Sequence, residues 1–460
     1  MRSTRRCSTP RKFHDRTSRH LLVALAFALL WPMTAAAAIF QVNVSVSDAP
    51  DDNVNDGVCR IVNMDGFCTL RAAVMQANAT PGTDIITLPA GATIVLDIQG
   101  NPEFLPASKG DLNILEDVVI MYGGIDPDDY PLIDASGLDD RVFNVFEGEF
   151  FLTKVRVTGG SRNESGGRGG AVFIGPLATS ATLTEVELYG NNAELGGAIY
   201  NDGSQLSVVD SSLHNNAAAT HGGALVNHCG DATIERSSVY QNSNFGTYGE
   251  SLHNVRNNAA DSGACRLNVR NSSVLESSGF GILSQGGTLN LTSSTIAENL
   301  DGGIRVSADV ASETLGELRM RNSVIAENTP ANCELIGTGW NTNGYNAADD
   351  GSCDLASGAT NIVAADLRLR PAEDDSASWQ RFKLPDASHT IMDPGSPLID
   401  AAHPVTGGVG CPEEDQRDKP RPKQGSLNGP ARCDIGSIEL QSAPVVMIQN
   451  NIFADGFEQP

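Results

Sequence analysis

Between residues 181 and 328 the chain repeats one alternation of apolar and polar positions six times. The last apolar residue of each block is Leu188, Leu213, Val239, Val274, Ile296 or Ile325. Five positions earlier stand Leu183, Val208, Ile234, Val269, Leu291 and Met320, and seven earlier Ala181, Leu206, Ala232, Leu267, Leu289 and Leu318. All these positions are apolar. Two before the last apolar residue lie Ser211, Ser237, Ser272, Ser294 and Ser323, with Val186 as the exception. Three after it lie Asn191, Asn216, Asn242, Asn299 and Asn328, with Ser277 as the exception. A period of two with many β-branched residues predicts strands.

The blocks recur at spacings of 25, 26, 35, 22 and 29 residues, which is the signature of a solenoid. Copies stacked in register must run parallel. Parallel neighbours need a long crossover, and the rest of each block supplies it as further short strands. The expected fold is therefore all-β, a right-handed parallel β-helix (pectin-lyase-like solenoid) of about ten coils, with a short N-terminal capping helix and a C-terminal cap. The apolar columns face inward, and the Ser column fits a corner with room only for a small side chain. The Asn column fits a left-handed turn and can form a hydrogen-bonded ladder along the axis. "RGGAVF" (168–173), "LGGAIY" (195–200), "HGGALV" (221–226) and "DGGIRV" (301–306) mark a second corner, where Gly permits positive φ and close packing.

Open solenoid ends expose strand edges and need covers. In "CTLRAAVMQAN", Leu70, Ala73, Val74 and Ala77 follow helical spacing, with Thr69 as N-cap. "CTLRAA", after "DGVC" and before "ITLPAG", resembles the CSLREA domain of secreted bacterial proteins. Ala72 stands where that family has Glu, so no capping box forms with Thr69. "GSPLIDAA" (395–402), "DQRDKPRP" (415–422) and "CDIGSIE" (433–439) are similar to the choice-of-anchor Q region that closes such proteins, with Asp418 in place of the usual Gly. The resemblance spans most of residues 39–440 and implies an exported or surface β-helix with no assigned catalysis. In this reading 1–38 is a signal peptide, 39–95 an N-terminal cap, 96–345 the coils, 346–445 further coils and a C-terminal cap, and 446–460 a tail that is a candidate sorting tag. Arg417 among Asp415 and Asp434 is expected to form a paired cap.

Charge and cysteine agree with export. The chain has 460 residues with 31 basic and 56 acidic, a net charge of −25. Seven of the cations and one acid lie in the first 38 residues, so the remainder holds 24 basic against 55 acidic residues, −31. Such a body repels phosphate backbones and anionic membranes, so nucleic acid is not an expected partner. "LLVALAFALLW" after a basic stretch, followed by "PMTAAAA", has the layout of a secretory signal with cleavage near Ala36–Ala38. No other stretch is apolar enough to span a bilayer. Past the leader, eight cysteines fall as sequence neighbours, and the expected disulfides are Cys59–Cys68, Cys229–Cys265, Cys333–Cys353 and Cys411–Cys433.

Candidate chemistry is sparse. The acid doublets Asp128–Asp129, Asp139–Asp140, Asp349–Asp350 and Asp374–Asp375 lie in loops, and none recurs opposite a His. "THGG" is not the Gly-His-Gly of polygalacturonases, and "RFK" (381–383) lacks companion motifs. Scattered His and no C-x-x-C argue against a zinc cluster. No cofactor is implied; Ca²⁺ is the one ion to consider, at Asp48, Asp51, Asp52 and Asp56. Gly57 comes one residue late for an EF-hand, and a solvated acidic loop is the favoured reading. Arg236, Arg266, Arg270, Arg305, Arg319 and Arg321 offer a polyanion-binding stripe or solvated coil faces, and Arg236 and Arg319 are expected to point outward. The favoured function is a non-catalytic extracellular or cell-surface β-helix for adhesion or glycan contact. The alternatives are a polysaccharide lyase or hydrolase of the pectate-lyase-like class, and a structural spacer.

Overall fold

The computed structural model describes residues 37–100, 107–247, 249–256, 265–309, 314–337, 339–342, 344–355, 360–370, 391–392, 396–404, 411–423 and 431–440. The expected signal segment at 1–36, the tail from 441, Asp374–Asp375 and "RFK" lie outside them. The described residues from Ala37 onward form one unit.

Alternation along short strands builds three long sheets that are parallel throughout. The first has eleven strands, from Ile39–Gln41 to Gly339–Thr342, the second eleven, from Thr93–Val95 to Ile362–Val363, and the third nine, from Leu112–Ile114 to Cys333–Ile336. Except at the two ends of the stack, successive strands of a sheet are separated in sequence by one strand from each of the other long sheets, which makes each circuit one coil. The result is a right-handed parallel β-helix, the hand that strand–crossover–strand connections take. A fourth sheet of four short strands, Ser161–Arg162, Asn192–Leu195, Ala217–His221 and Ser243–Asn244, widens the middle coils at the second corner.

The apolar columns stand in register. Leu183, Val208, Ile234, Val269, Leu291 and Met320 pair in turn across the first sheet, as do Ala181, Leu206, Ala232, Leu267, Leu289 and Leu318. Leu188, Leu213, Val239, Val274, Ile296 and Ile325 pair across the second. All are buried in one continuous core.

The Ser and Asn columns sit at the bends on either side of the second sheet. The Oγ of Ser237, Ser272, Ser294 and Ser323 accepts the backbone N–H of Ser211, Ser237, Ser272 and Ser294, one coil back. Ser211 Oγ accepts from Val186 N, and Asn346 Oδ1 continues the series by accepting from Ser323 N. In the second ladder Asn191 donates to Asn216, Asn216 to Asn242, and Asn299 to Asn328, each through both its backbone N–H and its side-chain amide. One expectation is corrected here. The left-handed residues are not the Asn column but those immediately before the two columns: Glu185, Asp210, Arg236, Asn271, Ser293 and Asn322, and Gly190, Asn215, Gln241, Glu276, Glu298 and Glu327. The ladder side chain turns inward and holds the bend, so the strained φ falls on the residue before it. A third ladder, unread in the sequence, runs Asn201–Asn227–Asn254–Ser284 inside the third sheet, with contacts of 2.8 to 3.0 Å. At the Gly-Gly corner Gly196 has φ +68°, and a Cβ on Gly197 would lie 2.2 Å from the Gly223 carbonyl.

Helix α1, Leu70–Ala79, closes the first coil, with Thr69 Oγ1 accepting from Ala72 N at 3.1 Å. Its Leu70, Ala73, Val74 and Ala77 join the core. Residues in the expected cap 39–95 also supply strands to the first and second sheets. The C-terminal region is placed differently from a plug. Its described residues lie along the outer face of the second sheet. Gln416 donates to Ser238 Oγ and Ser273 Oγ, Ser437 N donates to Thr295 Oγ1, and Leu398, Ile435, Cys411 and Cys433 pack on Val324 and Ala347. The outward column Ser238, Ser273, Thr295, Val324, Ala347 is a shelf of small and β-branched side chains on which a further layer can rest. All four neighbour disulfides are present.

Candidate functional site

The outward positions of the first sheet form a groove. Asn268, Asn290 and Arg319 share one register, and Glu235, Arg270, Thr292 and Arg321 the next. Together with Arg266 they line a cavity of about 640 Å³, walled on one side by Cys411 and Pro412 of the C-terminal flank. A second cavity of about 370 Å³ shares Arg266, Asn268 and Arg270 and continues to Ser180, Thr182, Gln205 and Ser207. The two span six strands, about 24 Å at the usual spacing of about 4.8 Å. The floor is polar because outward positions of a solenoid face water, and rigid because each strand is paired on both sides.

Four arginines meet here. Arg266 pairs with Asp231 at 3.0 Å and Arg319 with Glu317 at 2.7 Å, both pairs well exposed and weakly held. Among the described residues Arg270 makes no ion pair. Glu235 is the lone carboxylate among the residues lining the larger cavity. The other coil arginines are placed elsewhere. Arg236 is a turn residue at φ +45° rather than a strand residue, and it pairs with Asp210 at 2.7 Å. Arg305 pairs with Glu334.

Among the described residues none of the acid doublets lines the groove. Asp128–Asp129 lie in a 3₁₀ turn. Asp140 binds Arg162 at 3.0 Å beside Asp111 and Arg141. Asp111 is pushed up to about 7, by burial first and then by the charge of Asp140, against the pull of Arg141. Asp349 and Asp350 hold Asn332.

The four Ca²⁺ candidates are divided between two basic partners, Arg71 and Arg60. Asp48 is fully buried against Arg71, with Nε and Nη2 donating at 2.8 and 2.9 Å. Asp51 accepts from Gln76 and from Arg60 N, while Asp52 and Asp56 pair with the Arg60 side chain. Arg71, within the "CTLRAA" motif, also donates to the carbonyls of Ala107 and Gly110 and so ties α1 to the first coil.

In the C-terminal flank Arg417 donates to Asp415 Oδ2 at 2.7 Å and to the Glu439 carbonyl. Asp434 Oδ1 and Oδ2 accept from Asp400 N and Leu440 N, and Arg421 lies 3.7 Å from Glu439. Burial is the main force raising both Asp434 and Glu439 above the usual carboxylate range. These residues fold the flank; they do not line the groove.

Scattered in sequence, His221 and His253 come together around Glu250 at the second corner, which the sequence reading did not foresee.

No family model and no curated protein matches the sequence. Among solved structures the chain is similar to a crystal structure of a pectate lyase at 15% identity and a TM-score of 0.34, covering 88% of this chain and 97% of that one. At that level of likeness function has to be read from the geometry. Among the described residues no helix is long and apolar enough to cross a membrane.

Proposed function

We propose that this is an exported, non-catalytic β-helix that holds an acidic polysaccharide along the groove of its first sheet. The observation that carries this reading is the meeting of Arg266, Arg270, Arg319 and Arg321 in one groove of a chain whose net charge is −25. A strongly acidic body repels polyanions unless its cations gather, and here they do. Asn268, Asn290, Thr292 and Ser180 add neutral donors and acceptors suited to sugar hydroxyls. The groove's two lining carboxylates are Glu235 in the larger cavity and Asp231 in the smaller, and Asp231 is already paired with Arg266 at 3.0 Å, which weighs against the free acid–base pair that glycoside hydrolysis requires. The likeness of the ends to CSLREA and choice-of-anchor Q segments, together with four disulfides, supports a place outside the cell.

The test is retention on immobilised polygalacturonate against a neutral β-glucan, with product release followed in parallel. The expected result is retention on the acidic polymer alone, weakened by salt and by Arg270→Glu, without release of unsaturated products. Retention on neither polymer leaves a spacer, and turnover establishes a lyase or hydrolase, unsaturated products marking the lyase.

A further inference from the structure

At the second corner three side chains from adjacent coils face one another. His221 ends the strand Ala217–His221, Glu250 precedes the strand Leu252–Val255, and His253 lies within it. Glu250 Oε1 is 2.7 Å from His221 Nδ1 and 3.4 Å from His253 Nδ1. Glu250 is fully buried and His253 is 3% exposed, whereas the His221 side chain is 34% exposed.

The hydrogen bonds around this trio fix its chemistry. His253 Nε2 stands 3.1 Å from Gln285 Oε1. An amide oxygen only accepts, so Nε2 carries the proton and Nδ1 presents its lone pair. That Nδ1 is buried, makes no hydrogen bond, and faces a carboxylate oxygen. Two acceptors confront each other with no proton between them. The carboxylate is held in place independently: Glu250 Oε2 accepts from Asn244 Nδ2 at 2.9 Å, and Oε1 from Gly222 N at 3.3 Å. The left-handed Gly222 brings that N–H in.

We propose that His221, Glu250 and His253 form a binding site for a borderline divalent transition cation, with Zn²⁺ as its type. A cation is the species that satisfies facing nitrogen and oxygen lone pairs. Ligand atoms about 2.0–2.1 Å from a tetrahedral centre lie about 3.4 Å from one another. The Nδ1–Oε1 separation at His253 is already that edge. The hydrogen bond at His221 opens to the same length by rotation of the exposed ring, which is also the way in for the ion. Two imidazoles and one carboxylate favour such a metal over Ca²⁺ or Mg²⁺, which take oxygen ligands. Gln285 is a positioning residue that sets the His253 tautomer, and Asn244 does the same for the carboxylate. Water completes the shell on the His221 side.

The test is calorimetric titration of the metal-stripped, disulfide-intact protein with Zn²⁺, together with the visible spectrum of the Co²⁺ form. One Zn²⁺ per chain, displaced by chelator, and Co²⁺ bands of tetrahedral intensity are expected. His221→Ala, at the exposed ligand, and Glu250→Gln, nearly isosteric, should each weaken Zn²⁺ at least about 10-fold and abolish the Co²⁺ bands, while the far-ultraviolet spectrum stays that of the native fold. Absence of stoichiometric Zn²⁺ binding overturns the assignment. So does binding unchanged in both folded variants, or a preference for Ca²⁺ over Zn²⁺.

Discussion

Arg71 shows how much one side chain can hold. Its guanidinium, fully buried, forks onto Asp48 and two carbonyls, joining α1, the acidic loop and the first coils. Removing one partner of a buried ion pair leaves the other charge stranded, at a cost of about 3–5 kcal/mol. Arg71→Met should lower the urea midpoint accordingly, and Asp48→Asn in the same chain should recover part of the loss. Residue roles of this kind were only partly legible. Inward apolar positions declare themselves by alternation, and the Ser and Asn ladders by recurrence. The left-handed positions do not, because residues as different as Glu185, Arg236 and Gln241 occupy them. The Ser and Asn beside them hold the bend, so no glycine is demanded there. Arg71 gave no signal, since its partner lies 23 residues away.

At the scale of elements, strands and α1 followed from pattern, and the C-terminal flank did not. Its motifs marked it as a terminal structure, and an open end was the obvious place for it. What places it instead is a set of contacts at separations of 142 to 179 residues, such as Gln416 to Ser237 and Ser437 to Thr295. No local periodicity encodes those. The Cys411–Cys433 bond staples the two halves of this flank. Replacing both cysteines with Ala should leave the circular dichroism of the coils intact while amide exchange at Gln416, Gly436 and Ser437 accelerates, because local opening no longer has to work against the staple. Equal exchange in the two proteins would show that the shelf alone holds the flank. The His221, Glu250 and His253 cluster was hidden for the same reason: its members are neighbours only after coils stack.

For the whole molecule, buried carboxylates set the response to pH. Asp111 titrates at about 7 in the folded state, raised by burial and by Asp140, against about 3.9 in an unfolded chain. A carboxyl with a raised folded pKa stabilises most when protonated, so its contribution is lost as pH climbs through about 7. Asp434 and Glu439 are raised by burial and act in the same direction. His253, lowered to about 4 by burial, acts oppositely, but only below its unfolded value of about 6.5. Metal-stripped protein should therefore lose thermal stability between about pH 6.5 and 8, and Asp111→Asn should flatten the slope. A melting temperature that rises over that interval would contradict these assignments. The position of the flank has a further consequence, for timing. Coils can zip up as the chain is made, each templated by the one before, yet Cys411 and Pro412 arrive only after every strand they lean on. Until those late residues dock, the arginine floor stands open on one side. If the groove holds a polymer as proposed, a copy that ends before the flank would present the same arginines but lack that wall of the groove.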